Sequence, residues 1–339
     1  MKSLVYQILS PKKLERHLFH LNVDSLDQDE IYAETRFSIV STGTEIAAWL
    51  GAPPLRPTKE VYPRFVGYCN LAKVIKVGDD VQAVSKGDYI LTHQSHRDAF
   101  ICNETEVLLC FDSYNKSLLK KLTATYLYHL GYCALLKGNY KPGLTVAIVG
   151  MGVLGSTLTQ LVKVFAGQPV CFTNQNQQFF KNTLQVSNVY PKTIEKGKCY
   201  TRDGTLGGFD LVINTSNQWN DHLFSMQLAR KGGIIVNLGF PGRGYDRPQF
   251  NPLDSQYFYD KQLDIRQCGH VAELDVDPID IRFTLKRNMR YLASLIEENL
   301  IDPNKIISSE HSWQNLEDVY DILSKRKEGI HSALLDWTI

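Results

Sequence analysis

The spacing of apolar and polar positions predicts a strand-rich segment at the start of the chain. Residues 1 to about 115 contain short apolar runs broken by turns, and "IYAETRFSIVST" (31–42), "LAKVIKV" (71–77) and "GDYILTH" (87–93) each predict a strand. The spacing of the apolar residues then changes. In "SLLKKLTATYLYHLGYCALLKG" (117–138) apolar residues recur at helical spacing up to a terminal Gly, which predicts a helix.

Strands alternate with a helical pattern in the middle of the chain. A strand, a glycine-rich turn and a helix follow one another in "LTVAIVGMGVLGSTLTQLVKVFAG" (144–167), and "PVCFTN" (169–174) predicts the next strand. Two later apolar runs, "FDLVINTS" (209–216) and "GGIIVNLGF" (232–240), end in turn residues as buried parallel strands do. The pattern becomes mixed again after about residue 260.

Length and composition narrow the class of protein. The chain has 339 residues, which suits two domains, and its 43% hydrophobic and 22% charged residues are those of a globular protein. A formal net charge of +1 without a Lys/Arg-rich block argues against nucleic acid as a partner. We expect no membrane span and no signal peptide. The seven scattered cysteines lack a C-x-x-C pair, which predicts reduced thiols in a cytoplasmic protein.

A glycine motif between a strand and a helix predicts a dinucleotide site. Residues 150–155 match G-x-G-x-x-G. The first Gly permits a tight turn, the second lets the backbone approach a pyrophosphate, and the third lets the helix pack on the strand. A glycine-rich turn without a ligand is the alternative, which the flanking strands disfavour. The predicted cofactor-binding residues of this turn are Gly150, Gly152, Val153, Leu154 and Gly155.

The end of the following strand bears on the choice between NAD and NADP. It lies at Thr173 and Asn174, where an acid that binds the ribose of NAD is expected about 20 residues after the glycines. An amide can bind a ribose but does not repel a 2′-phosphate, so NADP is slightly favoured. However, "TNQNQQFFK" (173–181) offers only Lys181 as a cation, and the choice between the two cofactors stays open.

Five motifs together resemble the medium-chain dehydrogenase/reductase superfamily, and the resemblance covers nearly the whole chain. The first two also resemble the bacteriochlorophyllide dehydrogenase-like branch. In chain order the motifs are "STGTE" (41–45), "FVGYC" (65–69), "VGDDV…KGDYI" (77–90), "KPGLTVAIVGMGVLG" (141–155) and "KGGIIVNLGFPG" (231–242).

The resemblance implies an α/β fold with two kinds of domain. A GroES-like, β-rich catalytic domain would occupy residues 1–117, and a Rossmann domain with a doubly wound parallel sheet would occupy residues 118–260. Residues 261–339 would return to the catalytic domain. The resemblance further implies a homodimer.

The resemblance places hydroxyl side chains where the family binds catalytic zinc. The three positions fall on Thr42, on Tyr68 and near Thr125. Zinc prefers thiolate, imidazole or carboxylate ligands, so the expectation is that no zinc is bound. The cysteines that hold a structural zinc in some relatives are also missing, and the spacing of the remaining candidates fits no common zinc pattern. These candidates are His93, His96, Cys102 and Cys110.

Four residues take candidate catalytic roles from the resemblance. Tyr68 would donate a hydrogen bond to a developing oxyanion, or it would only fill the space left by the metal and its ligand. Thr44 matches a hydroxyl that relays the substrate proton, and Thr42 would help to fill the metal cavity. His129 lies one helical turn after Thr125 and is either a buried structural histidine or a general base.

Further cofactor contacts are implied by the resemblance. Leu238, Gly239 and Phe240 match the stretch whose backbone meets the nicotinamide carboxamide. Thr215 ends a strand on the cofactor side of the sheet. His331 stands where many relatives have a pyrophosphate-binding Arg, and it would be a weaker, pH-dependent substitute.

These predictions combine into a zinc-independent NAD(P)-dependent oxidoreductase that acts on a small molecule. The branch motifs favour a secondary alcohol or ketone, whereas the loss of zinc favours an activated C=C bond, as in an enone or quinone. One alternative is a regulatory or scaffold relative that binds the cofactor without catalysis. Another, a structural interaction module, leaves the glycine motif unexplained. The substrate itself is not identified, although loops 51–63, 93–98 and 268–271 would shape the mouth of the site.

Overall fold

The described residues form two compact units. The computed structural model describes residues 1–55, 59–112, 115–193, 208–269, 283–327, 329 and 331–339. The first unit comprises Met1–Tyr126, Ala272–Asn299 and Ile307–Ile339, and the second comprises Leu127–Val271 and Leu300–Ile306. The domain limits implied by the resemblance stay predictions. Cys199 and the parts of two mouth loops at 56–58 and 270–271 lie outside the described residues.

The described residues contain sixteen strands and eight α-helices besides short helical turns. The strands are β1 (Lys2–Ser10), β2 (Lys13–His20), β3 (Glu30–Ile39), β4 (Arg64–Phe65), β5 (Asn70–Val77), β6 (Tyr89–Thr92), β7 (Ala99–Asn103), β8 (Leu109–Phe111), β9 (Val146–Val149), β10 (Pro169–Phe172), β11 (Val189–Tyr190), β12 (Phe209–Asn214), β13 (Ala229–Asn237), β14 (Asp264–Gln267), β15 (Ile307–Ser312) and β16 (Ser332–Asp336). The helices are α1 (Thr42–Leu50), α2 (Lys116–Leu122), α3 (Thr125–Lys137), α4 (Val153–Val164), α5 (Gln177–Leu184), α6 (Trp219–Leu228), α7 (Leu285–Glu297) and α8 (Leu316–Ser324). None of these helices is long and apolar enough to cross a membrane.

The first unit is built around strand β3, which is buried along most of its length. A seven-stranded sheet contains the path β15-β16-β3-β5-β6-β8, and β7 also pairs with β3. Strands β15 and β16 are parallel, whereas β3 is antiparallel to all of its partners, so this sheet is mixed. A smaller sheet has the order β2-β1-β4. Helices α1 and α8 join the same core, where the rings of Trp49 and Tyr320 lie 5.7 Å apart.

The second unit has one six-stranded sheet in the order β11-β10-β9-β12-β13-β14, and all neighbours are parallel. The chain starts at β9 and moves outward first to one side and then to the other, which is the order of a doubly wound sheet. Strands β9 and β12 are buried at almost every position, as expected when both faces of a parallel sheet are covered. The predicted α/β fold class, a β-rich part with a Rossmann-like parallel sheet, is confirmed.

Two local predictions were wrong: one strand was predicted too long, and one helix was predicted without its break. The strand predicted over 31–42 stops at Ile39, and Thr42 begins α1 instead. The helix predicted over 117–138 is two helices, because the chain leaves the helical path between α2 and α3. At this break the carbonyl of Leu119 accepts both the backbone N–H of Thr123 at 3.1 Å and its hydroxyl at 2.8 Å, and the next N–H, that of Ala124, donates to Lys121 only three residues earlier, so the last turn of α2 is tightened. Helices α1, α5, α6 and α7 were not predicted.

One testable prediction concerns the acid stability of the second unit. Asp210 accepts hydrogen bonds from the backbone N–H and the hydroxyl of Thr145, both at 2.8 Å, and from Nε of Arg230 at 2.6 Å. Burial raises the pKa of this carboxyl, but the hydrogen bonds outweigh burial, and the net pKa is lowered. A lowered pKa in the folded state stabilises the protein above the unfolded pKa of about 4, and this stability is lost as the pH falls through the folded pKa.

We therefore expect Asp210→Asn to lower the free energy of unfolding at pH 7 and to weaken its fall below about pH 4. Urea denaturation at a series of pH values measures both effects. Asp79→Asn, at an exposed turn position, is the control and should leave the curve almost unchanged. An Asp210→Asn protein with the wild-type pH dependence would contradict this account.

Candidate active site

Three hydroxyl side chains meet at Tyr68 in the first unit. The phenol hydroxyl of Tyr68 is hydrogen-bonded to the hydroxyls of Ser41 and Thr44. Ser41 is the N-cap of α1, and Thr44 lies in the first turn of that helix, so the start of α1 presents both hydroxyls to Tyr68. The structure thus brings together two predicted residues, Tyr68 and Thr44, and adds Ser41. Thr42 lies in the same turn of α1.

The environment of Tyr68 keeps its phenol neutral. Burial is the main cause that raises the pKa of Tyr68 well above its ordinary value, and the neighbouring Cys69 acts in the same direction. The hydrogen bonds with Ser41 and Thr44 lower the pKa but do not outweigh burial. At neutral pH this residue therefore carries its hydrogen and can donate it.

A buried carboxylate fixes the start of α1. Glu45 is 2% exposed, and its Oε1 accepts a hydrogen bond from the backbone N–H of Ser41 at 2.6 Å. Its Oε2 accepts from the hydroxyl of Tyr320 at 2.6 Å and lies 2.8 Å from Nε2 of His96. A carboxylate removed from water is costly unless it is hydrogen-bonded, and here both oxygens are bonded. Since Ser41 also contacts Tyr68, the carboxylate indirectly positions the phenol.

His96 supports Tyr68 indirectly, by packing against the residue that precedes it. The imidazole is fully buried, and its Nδ1 lies 2.9 Å from the hydroxyl oxygen of Ser38. It packs against Gly67, where an added Cβ would lie 2.8 Å from the ring. Gly67 also has a φ of +89°, a conformation that favours glycine. Because Gly67 directly precedes Tyr68, the position of the imidazole sets the path of the backbone into the site.

Two more aromatic side chains contact the Tyr68 residue. The rings of Tyr68 and Tyr126 are 5.5 Å apart at an interplanar angle of 81°, and those of His93 and Tyr126 are 4.4 Å apart at 79°. Nδ1 of His93 lies 3.2 Å from the carbonyl oxygen of Tyr68. A carbonyl can only accept, so this nitrogen carries the hydrogen. His93 is exposed, and both tyrosines are half-buried.

The residues at the family's zinc positions do not fit a zinc ion. Thr42 and Tyr68 offer neutral hydroxyls, and the hydroxyl of Thr125 is buried and donates to the carbonyl of Leu122 at 2.6 Å. A neutral alcohol or phenol is a poor zinc ligand beside thiolate, imidazole or carboxylate. Within the described ranges, no group of three or more His, Cys, Asp or Glu side chains could hold a metal ion.

The glycine turn of the second unit has the shape of a phosphate cradle. Gly150 follows β9 with a φ of +93°, and an added Cβ would lie 2.7 Å from Oγ1 of Thr215. At Gly155 an added Cβ would lie only 2.0 Å from the carbonyl oxygen of Gly150, so helix and turn touch there. At Gly152, the exposed N-cap of α4, an added Cβ would meet no atom within 4 Å. This open space at a helix N-terminus fits a dinucleotide pyrophosphate.

The sheet edge beside this turn holds the other predicted nicotinamide contacts. Thr215 follows β12, next to β9 in the sheet, and its hydroxyl donates to the carbonyl of Gly150 at 3.0 Å. The backbone N–H groups of Leu238 and Gly239 both donate to the carbonyl of Asn214, at 2.9 and 3.0 Å. Phe240 is 38% exposed. The strand order changes direction between β9 and β12, and such switch points are where open α/β sheets bind ligands.

The predicted ribose position carries no acid. Asn174 is exposed just after β10, and its side-chain oxygen accepts from the backbone N–H of Lys192 at 3.1 Å. Thr173 is buried, and its hydroxyl oxygen accepts from the backbone N–H of Gln175 at 3.1 Å. The ammonium of Lys192 lies 2.6 Å from a carboxylate oxygen of Asp221, so this cation is already paired. Val153 and Leu154 lie in the first turn of α4.

Two predicted histidines are buried in surroundings that do not favour their proposed chemistry. His129 is 2% exposed, and its Nε2 lies 3.2 Å from Sγ of Cys133 one helical turn later. His331 is 6% exposed, and burial lowers its pKa to about 4. It is therefore neutral at pH 7 and would bring no positive charge to a pyrophosphate. General-base and cofactor roles for these residues stay predictions without support from their surroundings.

Ser41, Glu45 and Tyr320 were not predicted as site residues, and His96 was considered only as an unsuitable zinc ligand. A local clue existed for two of them. Ser41 is a residue type favoured at a helix N-cap, and Glu45 is an acid just before the apolar run "IAAWL" (46–50), as is common in the first turn of a helix. No local pattern indicates Tyr320 or the packing of His96 on Gly67.

Comparison with known proteins supports the resemblance. The chain has the fold of medium-chain dehydrogenases. L-Idonate 5-dehydrogenase from Escherichia coli superposes with a TM-score of 0.78, at 12% identity, over 99% of each chain. CurK enoyl reductase superposes with a TM-score of 0.74, at 13% identity, again over 99% of each chain. Identities this low show a common fold and nothing about substrate.

Sequence similarity is confined to part of the chain. It is 29% identical over 166 residues, 49% of its length, to NADP-dependent alcohol dehydrogenase C 1 of Mycolicibacterium smegmatis, and equally to alcohol dehydrogenase C 2 of that organism. The match spans 46% of the length of these relatives. No protein-family model matches the chain.

The buried carboxylate generates a stability prediction. Glu45→Ala removes the partner of Ser41, His96 and Tyr320 together, and breaking such a buried pair costs about 3–5 kcal/mol. We expect a large drop in the free energy of unfolding, measured by urea denaturation. Glu310→Ala is the matched control, because its pair with Lys120 is 41% exposed at the carboxylate and should contribute less than about 1 kcal/mol. Equal losses in the two variants would show that the carboxylate does not organise the site.

Proposed function

We propose that the protein is a zinc-independent NAD(P)-dependent oxidoreductase acting on a small-molecule carbonyl, secondary alcohol or activated C=C bond. The observation that carries the proposal is the contact between the hydroxyls of Tyr68, Ser41 and Thr44. These hydroxyls lie where the resemblance implies substrate activation. The similarity to the NADP-dependent alcohol dehydrogenases supports the reaction class.

The second unit would hold the cofactor. The space at Gly152 would take the pyrophosphate, with the N-terminus of α4 facing its charge. Thr215 and the backbone after β13 would border the nicotinamide. When bound, the reduced cofactor supplies a hydride to the substrate carbon. Asn174 brings no negative charge to the ribose, and together with the cofactor named for the mycobacterial relatives this favours NADP over NAD.

Tyr68 would replace the metal as the group that stabilises oxygen charge. A phenol has one hydrogen and can accept further hydrogen bonds. If Ser41 and Thr44 donate to it, its own hydrogen is directed to the substrate oxygen, where negative charge develops as hydride arrives at carbon. Preorganised donors of this kind stabilise such charge. Tyr68 would then give its proton to the same oxygen, and Thr44 would replace that proton on the phenol and regain its own from water, so that one hydride and one proton complete the reduction of a carbonyl.

Cofactor binding is the first test of this proposal. We expect the purified protein to bind NADPH at micromolar concentration and NADH more weakly, followed by nicotinamide fluorescence. Gly152→Ala should fold normally, because the new Cβ meets no protein atom within 4 Å and the φ of −80° suits alanine. It should nevertheless weaken NADPH binding, since the methyl group enters the space meant for pyrophosphate.

Two results would count against the proposal. Failure of either nucleotide to bind the wild-type protein would leave the glycine turn without a ligand. Unchanged NADPH affinity in Gly152→Ala would place the cofactor elsewhere. Elemental analysis of the same preparation tests zinc independence, and stoichiometric zinc would overturn that part.

A second test separates a catalytic Tyr68 from one that only fills space. Tyr68→Phe keeps the ring and removes the hydroxyl, so a catalytic phenol predicts a loss of about 100-fold or more in kcat with an unchanged NADPH affinity. The matched control is Tyr32→Phe, which removes a hydroxyl that contacts the sulfur of Met1 at 2.9 Å and the carboxylate of Glu34, away from the candidate catalytic hydroxyls. Equal kcat values for Tyr68→Phe and the wild type, on any ketone or enone that reacts, would favour the space-filling role.

A further inference from the structure

Three aromatic rings form a continuous, partly exposed surface beside the candidate catalytic hydroxyls. We name this surface, made of Tyr68, His93 and Tyr126, the aromatic wall. The ring of Tyr126 contacts the other two edge-to-face, with centroid distances of 5.5 and 4.4 Å. A hydrogen bond between Nδ1 of His93 and the carbonyl of Tyr68, 3.2 Å apart, ties the imidazole to the same turn. The wall is therefore a preorganised surface.

The exposure of the wall distinguishes it from core packing. Tyr128, two residues after Tyr126 on α3, is fully buried, and its hydroxyl accepts from the amide of Gln160 at 2.8 Å, which is the pattern of a structural tyrosine. In contrast, Tyr68 and Tyr126 are half-buried, and His93 is exposed. Partly exposed aromatic surface next to polar groups is typical of a small-molecule site.

The hydroxyls that the described residues place beside the wall carry no charge. The carboxylate of Glu45 is 2% exposed, and both of its oxygens are already engaged by Ser41, His96 and Tyr320. The hydroxyls of Thr44 and Tyr68 offer hydrogen bonds without charge. A polyhydroxylated or anionic substrate needs many directed polar partners, because each unpaired hydroxyl costs free energy on leaving water.

We infer that the aromatic wall binds the planar, unsaturated part of a neutral substrate whose oxygen meets the Tyr68 hydroxyl. The class is an aryl ketone, the corresponding aryl alcohol, or an aryl-conjugated enone. Ring stacking on the wall would supply selectivity that uncharged hydroxyls alone do not. This inference rests on the proposed function and selects one class among its substrates.

The test compares substrates that differ in planarity at nearly constant size. Acetophenone and cyclohexyl methyl ketone form one pair, and 4-phenyl-3-buten-2-one and 4-cyclohexyl-3-buten-2-one form the other; D-sorbitol represents polyols. We expect kcat/KM with NADPH to favour the aryl member of the reactive pair about tenfold, the size of one or two aromatic contacts. No turnover of sorbitol with NADP⁺ is expected.

A variant of the wall links the preference to its residues. Tyr126→Leu should reduce the aryl preference to near unity and should affect the cyclohexyl substrate little. Tyr132→Leu is the control on the same helix; its ring lies 5.9 Å from that of Phe165 and is not part of the wall. It should keep the wild-type preference. Binding of 4-phenyl-3-buten-2-one is also measured by saturation-transfer NMR for the wild type and both variants.

The outcomes separate this inference from the proposed function. Turnover without an aryl preference, or with a preference that survives in Tyr126→Leu, would overturn the inference and leave the oxidoreductase proposal standing. NMR binding that depends on Tyr126 without any turnover would support the wall and count against the reaction. Neither turnover nor binding of the phenyl enone would overturn both.

Discussion

The buried carboxylate of Glu45 is the interaction on which the candidate site depends. A carboxylate at 2% exposure is tolerated only because Ser41, Tyr320 and His96 contact both of its oxygens. The contact to Ser41 fixes the first turn of α1, and the contact to His96 holds the imidazole that packs against Gly67. Glu45 thus helps to position Tyr68 in two ways. It fixes the hydroxyls of α1 that bond the phenol, and it holds the imidazole that packs beside the backbone of Tyr68. Loss of the carboxylate would loosen both supports together.

A site organised in this way would stabilise charge differently from a metal site. Zinc polarises an oxygen as a Lewis acid from one point. Neutral donors are individually weaker, so their effect depends on being held in place before the reaction, without reorganisation. The need for donors that are fixed in advance would explain why the hydrogen-bonded groups of Glu45, His96 and Tyr320 support the hydroxyls. Their cost in folding is repaid as rigidity, since a fully bonded network has one arrangement.

The sequence predicted the features that are encoded locally. The glycine turn could be placed because a strand, three glycines and a helix follow in order, and the parallel sheet could be placed because its strands are unbroken apolar runs. The candidates Tyr68 and Thr44 came from resemblance. In contrast, Glu45 and Tyr320 are 275 residues apart and Glu45 and His96 are 51 apart, so no local pattern encodes their contacts. The break between α2 and α3 was missed because the last turn of α2 is tightened by a hydrogen bond from the N–H of Ala124 to the carbonyl of Lys121, and apolar periodicity does not reveal such a turn.

The same network bears on substrate choice. A carboxylate that positions helix α1 is unavailable to bind substrate hydroxyls, because its oxygens are already engaged. Among the described residues, the first unit presents an aromatic surface and neutral hydroxyls beside Tyr68. An L-idonate 5-dehydrogenase and an enoyl reductase share this fold. Fold thus leaves the substrate open, and an aromatic surface beside uncharged hydroxyls would favour flat, uncharged molecules over polyols.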